Sequence, residues 1–191
     1  MSEDIAKKLG PFTRRRFLIG AIGLGVVGTG AAIALRPKVE LTVPAGIVHL
    51  TAFECALFTK LIPLFLPTEG TALIPPADVP ILKNIDEIFG TLHPKLRDDL
   101  GKGLQLFDYG AVVVGFNLTR FINLETDAAR TYCEKWQSGG AVQRAIFSAL
   151  RQFLYVSYWR DPRTWKPVDY DGPVSTKNNL PRLGITPLPE A

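Results

Sequence analysis

Apolar side chains recur at three- and four-residue steps through most of residues 51–160, the spacing of helices with one face turned inward. Thr51 and Glu54 form a capping-box pair, so a helix is predicted from Ala52 to about Leu66, with Phe53, Leu57, Leu61 and Leu64 on its apolar side. After a Pro-, Thr- and Gly-rich loop at 67–77, Asp78 is the expected cap of a helix that has Pro80 in its first turn and runs to Phe89. Its stripe is Ile81, Ile85 and Ile88. A longer helix is predicted from about Pro94 to Phe116, carried by Leu96, Leu100, Leu104, Phe107, Ala111 and Val114. Gly101, Gly103, Gly110 and Gly115 are costly inside it, and close helix packing is their expected use. After a transition through Phe121, Asp127–Trp136 reads as a helix with Ala128, Tyr132 and Trp136 together. The last helix has the broadest stripe: Val142, Ala145, Ile146, Ala149, Leu150, Phe153 and Leu154, ending near Trp159 before Asp161-Pro162.

The flanks differ. Residues 35–50 read as extended, a linker or a short strand with Val39, Leu41 and Val43 alternating. Residues 161–191, with Pro162, Pro167, Pro173, Pro181, Pro187 and Pro189, fit neither regular helix nor central strand. The class is therefore all-α: a small multi-helix domain at 51–160, a linker at 35–50, and an extended C-terminal segment at 161–191. No internal repeat is visible.

The first 34 residues are of another kind. Arg14-Arg15-Arg16-Phe17-Leu18 precedes a Gly-rich apolar run to Ala34, the layout of a twin-arginine export signal. The run falls short of the about 20 apolar residues of a membrane span, and five glycines weaken it as a helix. Ala32 and Ala34 place small residues where a signal peptidase reads, so cleavage follows Ala34 or the leader stays as an N-terminal anchor. Gly23-x-Gly25-x-x-Gly28 imitates a dinucleotide fingerprint, with Glu40 beyond it. Arginines stand where a strand is needed, and Pro37 interrupts the path to Glu40.

Composition bounds the chemistry. Five of the 22 basic and two of the 18 acidic residues lie in the leader, so the rest carries 17 and 16 and is nearly neutral. The high isoelectric point thus gives no ground for a nucleic-acid partner. His49 and His93 are the only histidines, isolated from each other, and read as loop or capping residues rather than metal ligands. Cys55 and Cys133 either pair after export or stay as buried thiols. No Cys-x-x-Cys-His and no Gly-x-Ser-x-Gly occurs, and the adjacent carboxylates Asp86-Glu87 and Asp98-Asp99 read as solvated helix faces. No catalytic residue is assigned. The candidates for recognition are aromatic: Tyr158 and Trp159 at the end of the last helix, then Trp165, Tyr170 and the turn Asp171-Gly172-Pro173. They either pin the tail to its own helices or form a subunit interface.

These segments together resemble a known family. The twin-arginine leader is followed by Leu50-Thr-Ala-Phe-Glu54, Phe121-Ile-Asn-Leu124, Tyr132-Cys-Glu-Lys-Trp136-Gln-Ser138 and Ala149-Leu-Arg-Gln-Phe-Leu154. Then come Tyr158, Asp161-Pro162, Trp165 and Tyr170-Asp-Gly-Pro173. The set resembles the subunit-3 family of gluconate 2-dehydrogenase, the small subunits of membrane-bound sugar and alcohol dehydrogenases. The resemblance implies a large FAD-containing partner subunit of the glucose–methanol–choline type and a cytochrome c subunit that takes its electrons. It implies passage of the folded flavoprotein through the twin-arginine translocase to the periplasmic side of the inner membrane, and no cofactor in this chain. Two other functions stay open: an independent exported enzyme or ligand-binding protein, and a membrane-retained assembly factor.

Overall fold

The computed structural model describes residues 35–114 and 118–179. Among them the regular structure is helical: α1 (Ala52–Phe65), α2 (Ile81–Thr91), α3 (Pro94–Val114), α4 (Thr126–Gln137), α5 (Ala141–Trp159) and the single turn α6 (Val174–Lys177). Short 3-10 turns at Pro76–Asp78, Phe121–Asn123, Pro162–Thr164 and Lys166–Val168 join them. No strand occurs among the described residues, so the strand alternative for residues 35–50 is not formed and they are irregular; Val39, Leu41 and Val43 are exposed. None of the described helices is long and apolar enough to cross a membrane.

The start of α1 follows from its sequence. Thr51 Oγ1 accepts from the Glu54 N–H (3.3 Å), and the Glu54 carboxylate accepts from the Thr51 N–H (2.7 Å), which satisfies two donors the helix cannot use. At α2 the expectation fails. Asp78 lies inside the 3-10 turn, Val79 is extended, and Pro80 occupies the cap position with no side-chain bond. Pro80 serves because its carbonyl still accepts from the Asn84 N–H (2.9 Å).

α5 touches α1, α2, α3 and α4 and is the centre of the domain. Its inward face is Phe147, Leu150, Leu154, Ser157 and Tyr158. This overturns part of the predicted stripe: Val142 (63% exposed) and Ala145 face solvent, and Ile146, Ala149 and Phe153 are half-buried. The apolar arc of the helix is wide, opposite a polar face of Arg144, Ser148, Arg151 and Gln152, so periodicity fixes its phase only loosely, and burial of the large rings sets it. α3 begins beyond the core, which leaves Leu96 exposed; its inward residues are Leu104, Phe107 and Ala111. A Cβ at Gly110 would lie 2.7 Å from the Tyr132 hydroxyl and 3.0 Å from Trp136 Cζ2. Only glycine lets α3 approach α4 so closely. There Phe107 meets Phe121, Tyr132 and Trp136 at centroid separations of 4.7, 5.2 and 4.8 Å. A second cluster joins Phe58, Phe89 and Phe153 between α1, α2 and α5.

Two buried carboxylates fasten the loops to this frame. Asp108 on α3 meets Arg120 at 2.6 Å and accepts from the Ile122 N–H at 3.0 Å, which holds the chain entering the 3-10 turn at Phe121. The Arg120 guanidinium also lies over the rings of Tyr109 and Phe53. Asp86 is not a solvated residue of α2. It is buried and accepts the N–H groups of Val48 (3.1 Å), His49 (2.6 Å) and Leu50 (2.8 Å), which ties the end of the linker to the domain.

Burial opposes ionisation of Asp86, yet the three N–H donors and His49 outweigh it and hold its pKa below the usual carboxylate value. A depressed folded-state pKa contributes stability above the unfolded value of about 3.9, and that contribution is lost as pH falls through the folded value. Asp86→Asn is therefore expected to cost about 2 kcal/mol at pH 7, with the deficit shrinking below pH of about 4. Urea midpoints of both proteins across this range check it; a deficit that stays constant with pH contradicts the assignment.

Candidate functional site

The aromatic positions singled out above converge around the end of α5. Trp165 Nε1 donates to the Trp159 carbonyl (2.7 Å), and the Tyr170 N–H donates to the Trp165 carbonyl (3.2 Å). The Trp165 and Tyr170 rings meet edge-on at 5.3 Å. Gly172 has φ +102° and lies against the Trp165 ring, where a Cβ would come within 3.2 Å of Cζ3. Both the positive φ and the contact call for glycine. Asp161 caps the 3-10 turn by accepting from the Arg163 N–H, and Arg163 reaches across to the Asp78 carbonyl (2.9 Å). Arg160 pairs with Glu87 of α2 at 2.8 Å.

The segment 161–173 is thus a folded strap against the end of α5 and the 3-10 turn before α2, with more local structure than its prolines suggest. Pro162 is the first residue of one 3-10 turn and Pro167 the second of the next, where a missing N–H costs nothing. Trp159 and Trp165 are half-buried, Gly172 is buried under the ring, and Asp171 pairs with Lys177. Pro173 precedes α6. Tyr170 remains 47% exposed and is the ring of this group most open to another molecule. Tyr158 stands apart. It is 1% exposed, packs edge-on against Trp159, and donates its hydroxyl proton to the Ile74 carbonyl at 2.7 Å. It pins the Pro-rich loop to α5 and is not part of the exposed surface.

Arg14, Arg15, Phe17, Leu18, Ala32 and Ala34 lie outside the described residues. So do residues 115–117, at the predicted end of α3, and 180–191 of the tail.

A reacting centre would need polar groups free to meet a substrate. The cleft richest in charge, about 530 Å³, is lined by His49, Glu54, Arg97, Asp98 and Lys102. Its groups bind one another: Arg97 donates to the His49 carbonyl, Glu54 accepts from Thr51, and Lys102 pairs with Asp98 at 2.6 Å. The His49 ring packs on Gly90, where a Cβ would fall 2.5 Å from it. A cavity of about 760 Å³ lies beneath the Pro-rich loop between Ile62, Leu66, Leu73 and Val79, with Glu69 and Lys83 as its charged lining residues. Cys55 and Cys133 are buried and unpaired. Burial pushes the Cys133 thiol up to about 12, so it is not a nucleophile at neutral pH. Among the described residues no group of three or more His, Cys, Asp or Glu is placed to hold a metal ion.

Sequence reasoning missed Asp86, Asp108 and Arg120. For Asp108 a signal existed, since a carboxylate beside Phe107 and three residues before Ala111 falls near the buried stripe and must find partners there. Asp86 carried none, because its donors come from backbone that is 36 to 38 residues away.

Comparisons with protein-family models, with curated proteins and with solved structures find no match to this chain.

Proposed function

We propose that this chain is the non-catalytic small subunit and export escort of a periplasmic FAD-dependent dehydrogenase of the glucose–methanol–choline type. The observation that supports the reading is the pairing of a leader with the twin-arginine layout and a helical body whose aromatic C-terminal strap resembles that of such subunits. The work of an escort is binding energy plus a transport tag. Arg14 and Arg15 engage the translocase, while the body holds a partner that has already folded around its flavin. The cofactor belongs to that partner, and a cytochrome c subunit is the electron acceptor of the assembled complex on the periplasmic face of the inner membrane.

A body whose charge-rich cleft is filled by contacts among its own groups, with half-exposed aromatic rings at one end, is suited to binding rather than to turnover. The test is purification of the tagged full chain from membranes of its own cell. The expected result is an equimolar flavoprotein with the 450 nm flavin band and dye-linked dehydrogenase activity, none of it in the isolated chain. N-terminal sequencing of the same sample locates the cleavage site. Turnover or specific small-ligand binding by the isolated chain would support the independent enzyme or binding protein instead. A substoichiometric chain with its leader intact would indicate an assembly factor.

A further inference from the structure

A groove of about 340 Å³ runs between the end of α1, α4 and α5, away from the C-terminal strap. Its floor is apolar: Phe65 and Phe147 meet there at 5.1 Å. Arg130 and Glu134 from α4 stand on one side, and Arg151 and the 41%-exposed Tyr155 from α5 on the other.

What distinguishes this groove is how its arginines are used. Throughout the helical domain and the strap, arginines are held by acceptors of their own fold. Arg97 donates to the His49 carbonyl and Arg144 to the Gly139 carbonyl; Arg120 pairs with Asp108, Arg160 with Glu87 and Arg163 with Asp161. Arg130 and Arg151 have no such acceptor and no ion pair among the described residues, and they open onto the same concavity. Two guanidiniums beside an aromatic floor and a tyrosine form a set that binds carboxylates at its edges and an apolar side chain at its centre. Glu134 offsets one of the two charges, so the groove stays net positive where the chain as a whole is close to neutral beyond its leader.

We infer that this groove docks an acidic segment of the escorted flavoprotein. One aromatic or aliphatic side chain of that segment rests on Phe65 and Phe147, and flanking carboxylates pair with Arg130 and Arg151. The identity of the occupant rests on the escort reading; the chemistry of the groove does not. Salt weakens such docking, because its charges stand at the rim.

Two measurements separate the claims. First, fluorescence anisotropy of the full chain with a fluorescein-labelled acetyl-Asp-Glu-Leu-Phe-Glu-Asp-amide probe should show saturable binding, with none for the basic counterpart Lys-Arg-Leu-Phe-Lys-Arg. The double variant Arg130→Glu/Arg151→Glu should bind the acidic probe at least about tenfold more weakly. Lys166→Glu, a charge reversal in the strap, should leave binding unchanged. Circular dichroism melts verify that the variants fold, as expected for exposed residues without partners. No binding, or equal binding by the double variant, overturns the groove. Second, the double variant should lose most of the co-purified flavoprotein. If the flavoprotein stays bound at full stoichiometry, the groove is wrong and the escort reading stands. If wild-type chain brings down no flavoprotein while probe binding depends on both arginines, the escort reading fails, and with it the flavoprotein as occupant.

Discussion

On the escort reading proposed above, replacing Arg14 and Arg15 together by lysine should leave the proposed partner dehydrogenase in the cytoplasm, with periplasmic activity reduced at least about tenfold while total activity is retained. Lysine keeps both charges but loses the planar, forked donor array of the guanidinium, so a receptor that reads geometry rejects it. Dye-linked dehydrogenase activity in periplasmic and cytoplasmic fractions is the measurement. The partner is expected to fold and load its flavin normally, because the change lies 36 residues before Thr51, the first residue of the capped body. Arrival of the partner in the periplasm at wild-type level would show that something else carries it.

The second large effect concerns the body. Asp108→Ala removes the partner of a guanidinium that is 7% exposed and lies among Phe53, Tyr109 and Asp108. It also leaves the Ile122 N–H without its acceptor. An uncompensated buried charge costs about 3–5 kcal/mol, enough to lower the melting temperature of a domain this size by roughly 10 °C. Replacing both members, as Asp108→Leu with Arg120→Met, should recover much of that loss, because no charge is then left without a partner. Thermal melts of wild type, both single variants and the pair test this. If the pair is as unstable as the sum of the single changes, the coupling is absent. On the escort reading the consequence reaches function: a body that opens near Phe121 offers no fixed surface to the proposed partner.

The helices were legible where local chemistry decides them. Thr51 and Glu54 announce the start of α1 because both halves of the capping box lie within four residues. Pro94 opens α3, and Asp161-Pro162 ends the path of α5. Of the glycines for which close packing was expected, Gly110 meets it, with Tyr132 and Trp136 as the neighbours, while Gly101 and Gly103 make only ordinary contacts and Gly115 lies outside the described residues. The strap was legible only in composition. Its prolines excluded long helices, but nothing local indicated that Gly172 would lie under Trp165 or that Arg163 would reach Asp78.

Which side of an ambiguous helix faces inward is a different kind of question. α5 carries apolar residues around most of its circumference, so the periodicity reading takes Val142 into the stripe and leaves out Phe147, and the folded domain does the reverse. Asp86 and Asp98 look alike in sequence, each the first of two adjacent carboxylates. One is buried among three N–H groups, and the other pairs with an exposed lysine. Arg130 and Arg151 are 21 positions apart on different helices and share a groove only once α4 and α5 pack side by side. The order of residues thus settled where α1 and α3 begin, where the helices break and that the body is helical, since those outcomes rest on interactions within one or two turns; at α2 it misplaced the start. The choice of buried face, the fate of each charge and the make-up of any binding surface awaited the folded state, because their energies come from groups that packing alone brings into contact.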